Sequence, residues 1–412
     1  MKRNFFGTDG IRGRVGKFPI TADFVLKLGW AVGRLLNRSS SSKKRVLIGK
    51  DTRVSGYMFE SALEAGLISA GVEVGMLGPM PTPAIAYLTR ALRASAGIVI
   101  SASHNPYYDN GIKFFGADGY KFSEEVEAEV ERILELDQKT MDSDSLGKAY
   151  RITDADGRYV EFCKSTVDEN ISFADLRIVL DCANGAAYKV SPDVFRELGA
   201  EIIVVGDQPD GFNINQDCGS TNPELVQKLV KEHRADFGIS LDGDADRVTI
   251  VDRESNILDG DDILYILGFA NPNRLGPWSG IVGTQMSNVG LEDGLNKLGY
   301  SFKRADVGDK YVSDLLLKEG WLLGGEPSGH IICRDLVSTG DGTIAALKTI
   351  SSLVMLEKDP KDVLSNYNKI PQVNKSISVI NKDIVSDADV KTAINDIKSD
   401  LTVNRILVRP SG

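Results

Sequence analysis

Four apolar runs in this chain pass straight into short polar loops, and that arrangement constrains the fold more than any other feature of the sequence. Gly97-Ile98-Val99-Ile100 leads to Ser101-Ala102-Ser103-His104-Asn105-Pro106, and Gly238-Ile239-Ser240-Leu241 leads to Asp242-Gly243-Asp244-Ala245-Asp246-Arg247. Trp321-Leu322-Leu323 runs into Gly324-Gly325-Glu326-Pro327-Ser328-Gly329-His330, and Arg405-Ile406-Leu407-Val408 into Arg409-Pro410-Ser411-Gly412. In sheets with parallel strands the ligand lies beyond the carboxyl ends of the strands. Four such loops, well separated along the chain, predict one cleft lined from four sides.

Between these runs, short β-type segments alternate with helical stretches, the pattern of α/β layers. Arg45-Val46-Leu47-Ile48-Gly49 reads as a strand. Residues 57–70 read as a helix closed by Gly71, which suits a left-handed cap, and 72–77 as the next strand. Further strands are expected at 177–180, 201–205, 237–241, 248–251 and 280–282. At about 100–200 residues per domain, a chain of 412 residues suggests two to four domains. Boundaries near Ile152-Thr153, Asp252-Arg253 and Lys369-Ile370 divide it into 1–153, 154–253, 254–369 and 370–412.

Charge and cysteine usage narrow the function classes. The balance of 48 Lys and Arg against 58 Asp and Glu gives a net charge of −10, a poor basis for non-specific nucleic-acid binding. Cys163, Cys182, Cys218 and Cys333 show no CxxC spacing and are too sparse for a disulfide scaffold, so reduced thiols in a cytoplasmic protein are expected. The first ten residues meet acid and glycine before an apolar core can develop, which argues against a signal peptide. No stretch approaches the roughly 18 apolar residues of a membrane span.

The loops carry the chemistry. Asp242, Asp244 and Asp246 crowd three carboxylates that repel one another unless a cation neutralises them, and oxygen-only ligation points to Mg²⁺ or a similar hard ion. An EF-hand begins with the same spacing but needs glycine and glutamate where this chain has Arg247 and Arg253. A solvated acidic turn is the alternative, disfavoured by the apolar strands that flank the triplet. Ser101 and Ser103 offer hydroxyls beside His104, either a polar turn ended by Pro106 or a nucleophile that carries a phosphoryl group. A phosphoserine brings about −1.5 to −2 charge and needs a cation beside it, which the Asp triplet can hold. Arg12 in a flexible glycine-rich segment, Lys113 and Arg409 supply cations suited to phosphate oxygens. Neither a phosphate-binding G-x-x-x-x-G-K-[ST] nor a G-x-G-x-x-G is present.

Taken together, GTDGIRG (7–13), ISASHNPYYDNGIKFF (100–115), DGDADR (242–247), GGEPSGH (324–330) and RPSG (409–412) resemble the α-D-phosphohexomutase family, in motif order along the whole chain. The resemblance implies four domains around a central cleft, three of them α/β with mixed sheets and the last an α+β domain. It implies that Ser103, not Ser101, carries the phosphoryl group, and that Asp242, Asp244, Asp246 and the phosphoserine hold Mg²⁺. Glu326 and Ser328 would bind sugar hydroxyls, Arg409 and Ser411 would hold the non-transferring phosphate, and Arg247 and Gly412 would belong with them to the substrate-binding set. Arg12, Lys113 and His330 would surround the reacting oxygen and assist proton transfer, with His104 beside the serine.

Three departures stand out. Ala245 replaces a common glycine, Pro327 a common Gln or Met, and the sequence stops at Gly412 where relatives continue, so an incomplete C-terminal domain is expected. Within the family the resemblance is to members acting on amino-sugar phosphates. It implies conversion of glucosamine 6-phosphate to glucosamine 1-phosphate through glucosamine 1,6-bisphosphate, on the route to UDP-N-acetylglucosamine and cell-wall precursors. The rivals are a phosphomannomutase or phosphoglucomutase, a metal-dependent sugar phosphatase, and a phosphosugar-binding protein that needs neither Ser103 nor metal. The expected partner is a small phosphosugar, with no nucleic acid and no membrane; a homodimer is one admissible assembly.

Overall fold

The computed structural model describes residues 4–39, 44–373, 375, 377, 384–385, 387–400 and 405–409. Three sheets follow one another along the chain. The first comprises β1 (Ile11–Arg14), β2 (Arg45–Lys50), β3 (Glu73–Pro79), β4 (Ala96–Ile100), β5 (Asp109–Gly116) and β6 (Ala149–Arg151), in the order β1-β5-β4-β2-β3-β6. Strand β2 pairs in parallel with β3 and β4, whereas β5 returns antiparallel to β4 and pairs antiparallel with β1. The apolar run Ala96–Ile100 is buried along its whole length, as a strand covered on both faces must be, while edge strand β6 is exposed.

The second sheet holds β7 (Arg177–Asp181), β8 (Glu201–Val205), β9 (Phe237–Leu241), β10 (Val248–Asp252) and β11 (Ile257–Leu258), in the order β11-β10-β9-β7-β8. The third holds β12 (Gly280–Thr284), β13 (Ser301–Ala305), β14 (Leu323–Gly325) and β15 (Ile331–Cys333), in the order β13-β12-β14-β15. All three sheets are mixed, with parallel cores whose helical connections need α/β layers.

A single apolar cluster runs through all of them, from Leu47 and Val99 through Tyr159, Leu180 and Ile239 to Ile281, Leu323 and Ile344. The helix Gly342–Leu356 contributes Ile344, Leu347, Ile350 and Leu353 to it. Asp341 caps that helix by accepting from the Ile344 N–H at 2.9 Å, and it also accepts the Tyr159 hydroxyl at 2.8 Å, tying two segments together. Gly329 adopts φ +88°, and a Cβ there would stand 2.0 Å from the Val248 carbonyl oxygen, so only glycine lets the 326–330 turn lie on β10.

Three expectations change. The segment holding Arg12 is not a flexible loop: Ile11–Arg14 is strand β1, and Arg12 pairs with Gly111 because β5 offers it a free edge. The run at 321–323 starts its strand only at Leu323 and carries both glycines into it, since β12 and β15 supply ladder partners there. Residues 405–409 form no strand among the described residues, because a strand exists only where a partner completes its hydrogen bonds. Arg405 donates instead to the Gln285 side chain.

Candidate active site

Ser103 follows β4 in left-handed backbone, φ +52°, a conformation unusual for a residue with a Cβ. Its N–H donates to Ser101 Oγ at 2.9 Å, so the wholly buried Ser101 braces the loop from within. Ser103 itself is 1% exposed, and its hydroxyl donates to Asp242 Oδ2 at 2.5 Å. His104 Nδ1 stands 3.5 Å from the same hydroxyl. Burial, with Arg247 and Arg12 adding to it, pushes the His104 imidazole down to about 4, so it is neutral at pH 7.

The loop between antiparallel β9 and β10 brings Asp242, Asp244 and Asp246 to within 4.8 Å of one another, all buried. Ala245 sits at φ +56°, which explains a glycine preference there and costs alanine about 1 kcal/mol. Thr82, opening the helix Thr82–Ala91, grips the loop twice: its N–H donates to the Asp244 carbonyl at 3.0 Å and its hydroxyl to Asp244 Oδ2 at 2.6 Å. Asp242 is pushed well above the usual carboxylate range by burial and then by Asp246 and Asp244.

Asp244 Oδ1 and Asp246 Oδ1 are buried without a hydrogen-bond donor. Two donorless carboxylate oxygens beside a third carboxylate and the serine hydroxyl are what a hard cation requires, so the residues fit a metal ion.

Lys113 projects from β5 into this cluster, with Nζ 2.8 Å from Asp244, 3.0 Å from Asp9 and 3.3 Å from Asp246. Burial opposes its charge, but those carboxylates outweigh it and raise the pKa. The charged form of Lys113 is therefore favoured among these three carboxylates. Arg12 pairs with Asp9, and its charge is likewise favoured, against the cost of burial, by Asp9, Asp244 and Asp246. Arg247 donates its backbone N–H to Asp242 Oδ1 at 3.1 Å and lies beside Asp246.

The third sheet contributes Glu326 and His330. Glu326 Oε1 accepts the Gly308 N–H at 3.0 Å. His330 is buried, with Nδ1 3.8 Å from Asp246 and Nε2 3.8 Å from Asp309. Burial disfavours its cation, whereas Asp246 above all raises its pKa. The Gly340 N–H, 3.1 Å away, fills the Nε2 lone pair and so sets the proton on Nδ1, toward Asp246. Ser328 is exposed in the same turn, and Arg409 is exposed in the segment 405–409; Ser411 and Gly412 lie outside the described residues. The structure thus joins Ser103, His104, the three aspartates, Arg12, Lys113, Arg247 and His330.

Residues not singled out from the sequence complete the site. Asp9 links Arg12, Lys113 and Lys121, and Lys121 also reaches Asp309. Arg53 and Asn215 donate to carbonyls of the serine loop. Arg53 had a signal: β2 also runs into a polar turn, Asp51-Thr52-Arg53, so the strand-into-loop rule extends to it. Asn215 had none, because its partner is a backbone carbonyl 112 residues away.

Family models described as phosphoglucomutase/phosphomannomutase alpha/beta/alpha domains I, II and III match residues 3–141, 157–256 and 259–370. The phosphoglucosamine mutase of Alcanivorax borkumensis is 53% identical over 414 residues, covering 100% of this chain and 93% of that protein. That of Thioalkalivibrio sulfidiphilus is 52% identical over 417 residues, covering 100% and 92%. Among solved structures, a phosphoglucomutase/phosphomannomutase family protein from Burkholderia thailandensis aligns with a TM-score of 0.76 at 25% identity, covering 88% of this chain and 79% of that one. The Aspergillus fumigatus N-acetylphosphoglucosamine mutase, in complex with GlcNAc-6P and magnesium, shares the fold with a TM-score of 0.65 at 17% identity, covering 97% and 88%.

Proposed function

The chain belongs to the phosphoglucomutase/phosphomannomutase family, and from that premise we propose that it interconverts glucosamine 6-phosphate and glucosamine 1-phosphate through a phosphoserine at Ser103 and a glucosamine 1,6-bisphosphate intermediate. The observation that carries this reading is the Ser103 hydroxyl, held in left-handed backbone 2.5 Å from Asp242, with two donorless carboxylate oxygens at hand.

O1 and O6 of one sugar are too far apart for direct transfer. The phosphoserine therefore gives its phosphoryl group to the free sugar hydroxyl: the Ser103 Oγ–P bond breaks, the sugar O–P bond forms, and the hydroxyl proton leaves. The bisphosphate turns over in the cleft, and its other phosphoryl group returns to Ser103 while the released sugar oxygen takes up a proton. Such transfers need positioning and charge neutralisation above all. Arg12 and Arg247 face phosphoryl oxygens with forked donors, and Lys113 fixes positive charge behind the aspartates. His104 stands 3.5 Å from the Ser103 hydroxyl, and with Arg12, Lys113 and His330 it surrounds the reacting oxygen and assists proton transfer.

Mg²⁺ is the ion that Asp242, Asp244, Asp246 and Ser103 would hold, and when bound it neutralises charge on the transferring phosphoryl group. Glu326 and Ser328 take sugar hydroxyls, and Arg409, Ser411 and Gly412 take the non-transferring phosphate. The division at 153 is supported by the first sheet ending at Arg151 and that at 369 by the third sheet ending at Cys333, whereas the second sheet runs past 253, since β11 (Ile257–Leu258) pairs with β10. Four buried free cysteines suit a cytoplasmic, reducing setting. No described helix is long and apolar enough to cross a membrane.

The test is an isomerisation assay on glucosamine, glucose and mannose phosphates with catalytic sugar bisphosphate present. Glucosamine phosphate should turn over fastest. Ser103→Ala should lose both turnover and phosphoryl uptake by intact mass, while Ser101→Ala keeps a measurable part of each. Preference for glucose or mannose phosphate moves the assignment within the family, and free phosphate released at the turnover rate makes the protein a phosphatase.

A further inference from the structure

We infer that Arg53 and Asn215 are positioning residues that clamp the serine loop from both sides and set the direction in which Ser103 presents its phosphoryl group. The inference rests on Ser103 being the phosphoryl carrier. Arg53 Nη2 donates to the Ser103 carbonyl at 3.1 Å and to the Asn105 carbonyl at 2.5 Å. Asn215 Nδ2 donates to the same two carbonyls, at 2.9 and 3.2 Å. Each carbonyl oxygen has two lone pairs, so both are filled by donors from two different sheets: Arg53 follows β2, and Asn215 lies between β8 and β9.

Arg53 is wholly buried, with its guanidinium on the Asp51 carboxylate and its N–H on Asp51 Oδ1 at 2.9 Å. A buried ion pair that served stability alone could be replaced by apolar side chains at little cost. Four donations to two carbonyls of one short loop have a different effect. Left-handed backbone at a serine persists only when its surroundings over-determine it, and the clamp does so while keeping the carbonyl dipoles occupied by donors. With the Ser103 carbonyl fixed, its hydroxyl is held on Asp242. Asn215 is itself preset, at φ +58° with its N–H on the Ala183 carbonyl at 2.8 Å.

Asn215→Asp keeps shape but removes the amide donor, and Asn215→Gly removes the side chain without straining positive φ. For both, single-turnover phosphoryl uptake from glucose 1,6-bisphosphate and kcat on glucosamine 1-phosphate should fall about 10–100-fold, the cost of a reacting group misplaced by an ångström. KM should stay within about threefold and Tm within a few degrees, since neither sugar contacts nor the core are touched. Equal losses in kcat and sugar affinity, a collapse of Tm in both variants, or unchanged uptake in both overturns the clamp. Wild-type protein that takes up the phosphoryl group but fails to isomerise glucosamine phosphate overturns the substrate reading and leaves the clamp readable from uptake rates. Wild-type protein that takes up no phosphoryl group sinks both.

Discussion

Asp244 divides its two oxygens: Oδ2 accepts from Thr82 and Lys113, while Oδ1 is buried with no donor. The first oxygen fixes the carboxylate and the second is free to ligate. Asp244→Asn removes one formal charge from the ion's surroundings while nearly preserving shape, and calorimetric titration should show Mg²⁺ affinity lowered at least about tenfold. Unchanged affinity would take the ion out of this site. Ser103 and the three aspartates could be read from sequence because charge crowding and strand-into-loop placement are local properties. Asp9 lies inside the quoted Gly7–Gly13 motif yet had no such signal, since its value lies in holding Lys113 and Lys121, more than a hundred positions away. Lys113 was visible as a cation, but its encirclement by carboxylates, which favours its charged form, was not.

At the scale of elements, Asp341 shows how a cap can store a pH response. Burial raises its carboxyl from 3.8 to about 6, against the hydrogen bonds from Ile344, Tyr159 and Thr343. A raised carboxyl binds its proton more tightly in the folded state. Its contribution is therefore complete below about pH 4 and is lost as pH rises through 6. Asn caps helices as well as Asp does, so Asp341→Asn should gain about 2–3 kcal/mol on wild type between pH 4.5 and 7.5. Urea unfolding at the two pH values checks this; parallel behaviour of the two proteins would refute it. Strands in sheet centres, such as Phe237–Leu241, were readable as unbroken apolar runs. Strand β1 was not, because glycines on either side of Arg12 read as flexibility until β5 offers an edge.

On the scale of the whole molecule, Lys121 spans the first and third sheets, joining Asp9 to Asp309. Beside it, Lys310 reaches Glu127 at 3.3 Å, and Ser338 donates to the Gly119 carbonyl at 2.5 Å. Gly308, next to Asp309, holds Glu326, so this bridge fixes where the sugar would be met. Lys121→Met should raise KM for the sugar phosphate about 3- to 10-fold with a smaller change in kcat, and Lys121→Arg should recover most of it. Steady-state kinetics that move kcat alone would reject this role. The meeting of the loops at 101–106, 242–247 and 324–330 followed from sequence, the fourth loop lying largely outside the described residues, but the docking of sheets did not, because its contacts join residues with no shared local pattern. The union of Lys113 with Asp244, 131 positions downstream, also governs how the protein is made. At roughly 5–20 residues per second, the ribosome releases the lysine about 7–25 seconds before its partner. Throughout that interval Asp9 is the one of the lysine's three carboxylates already made, so the newborn first sheet holds the lysine on a single counterion until the second sheet brings Asp244 and Asp246.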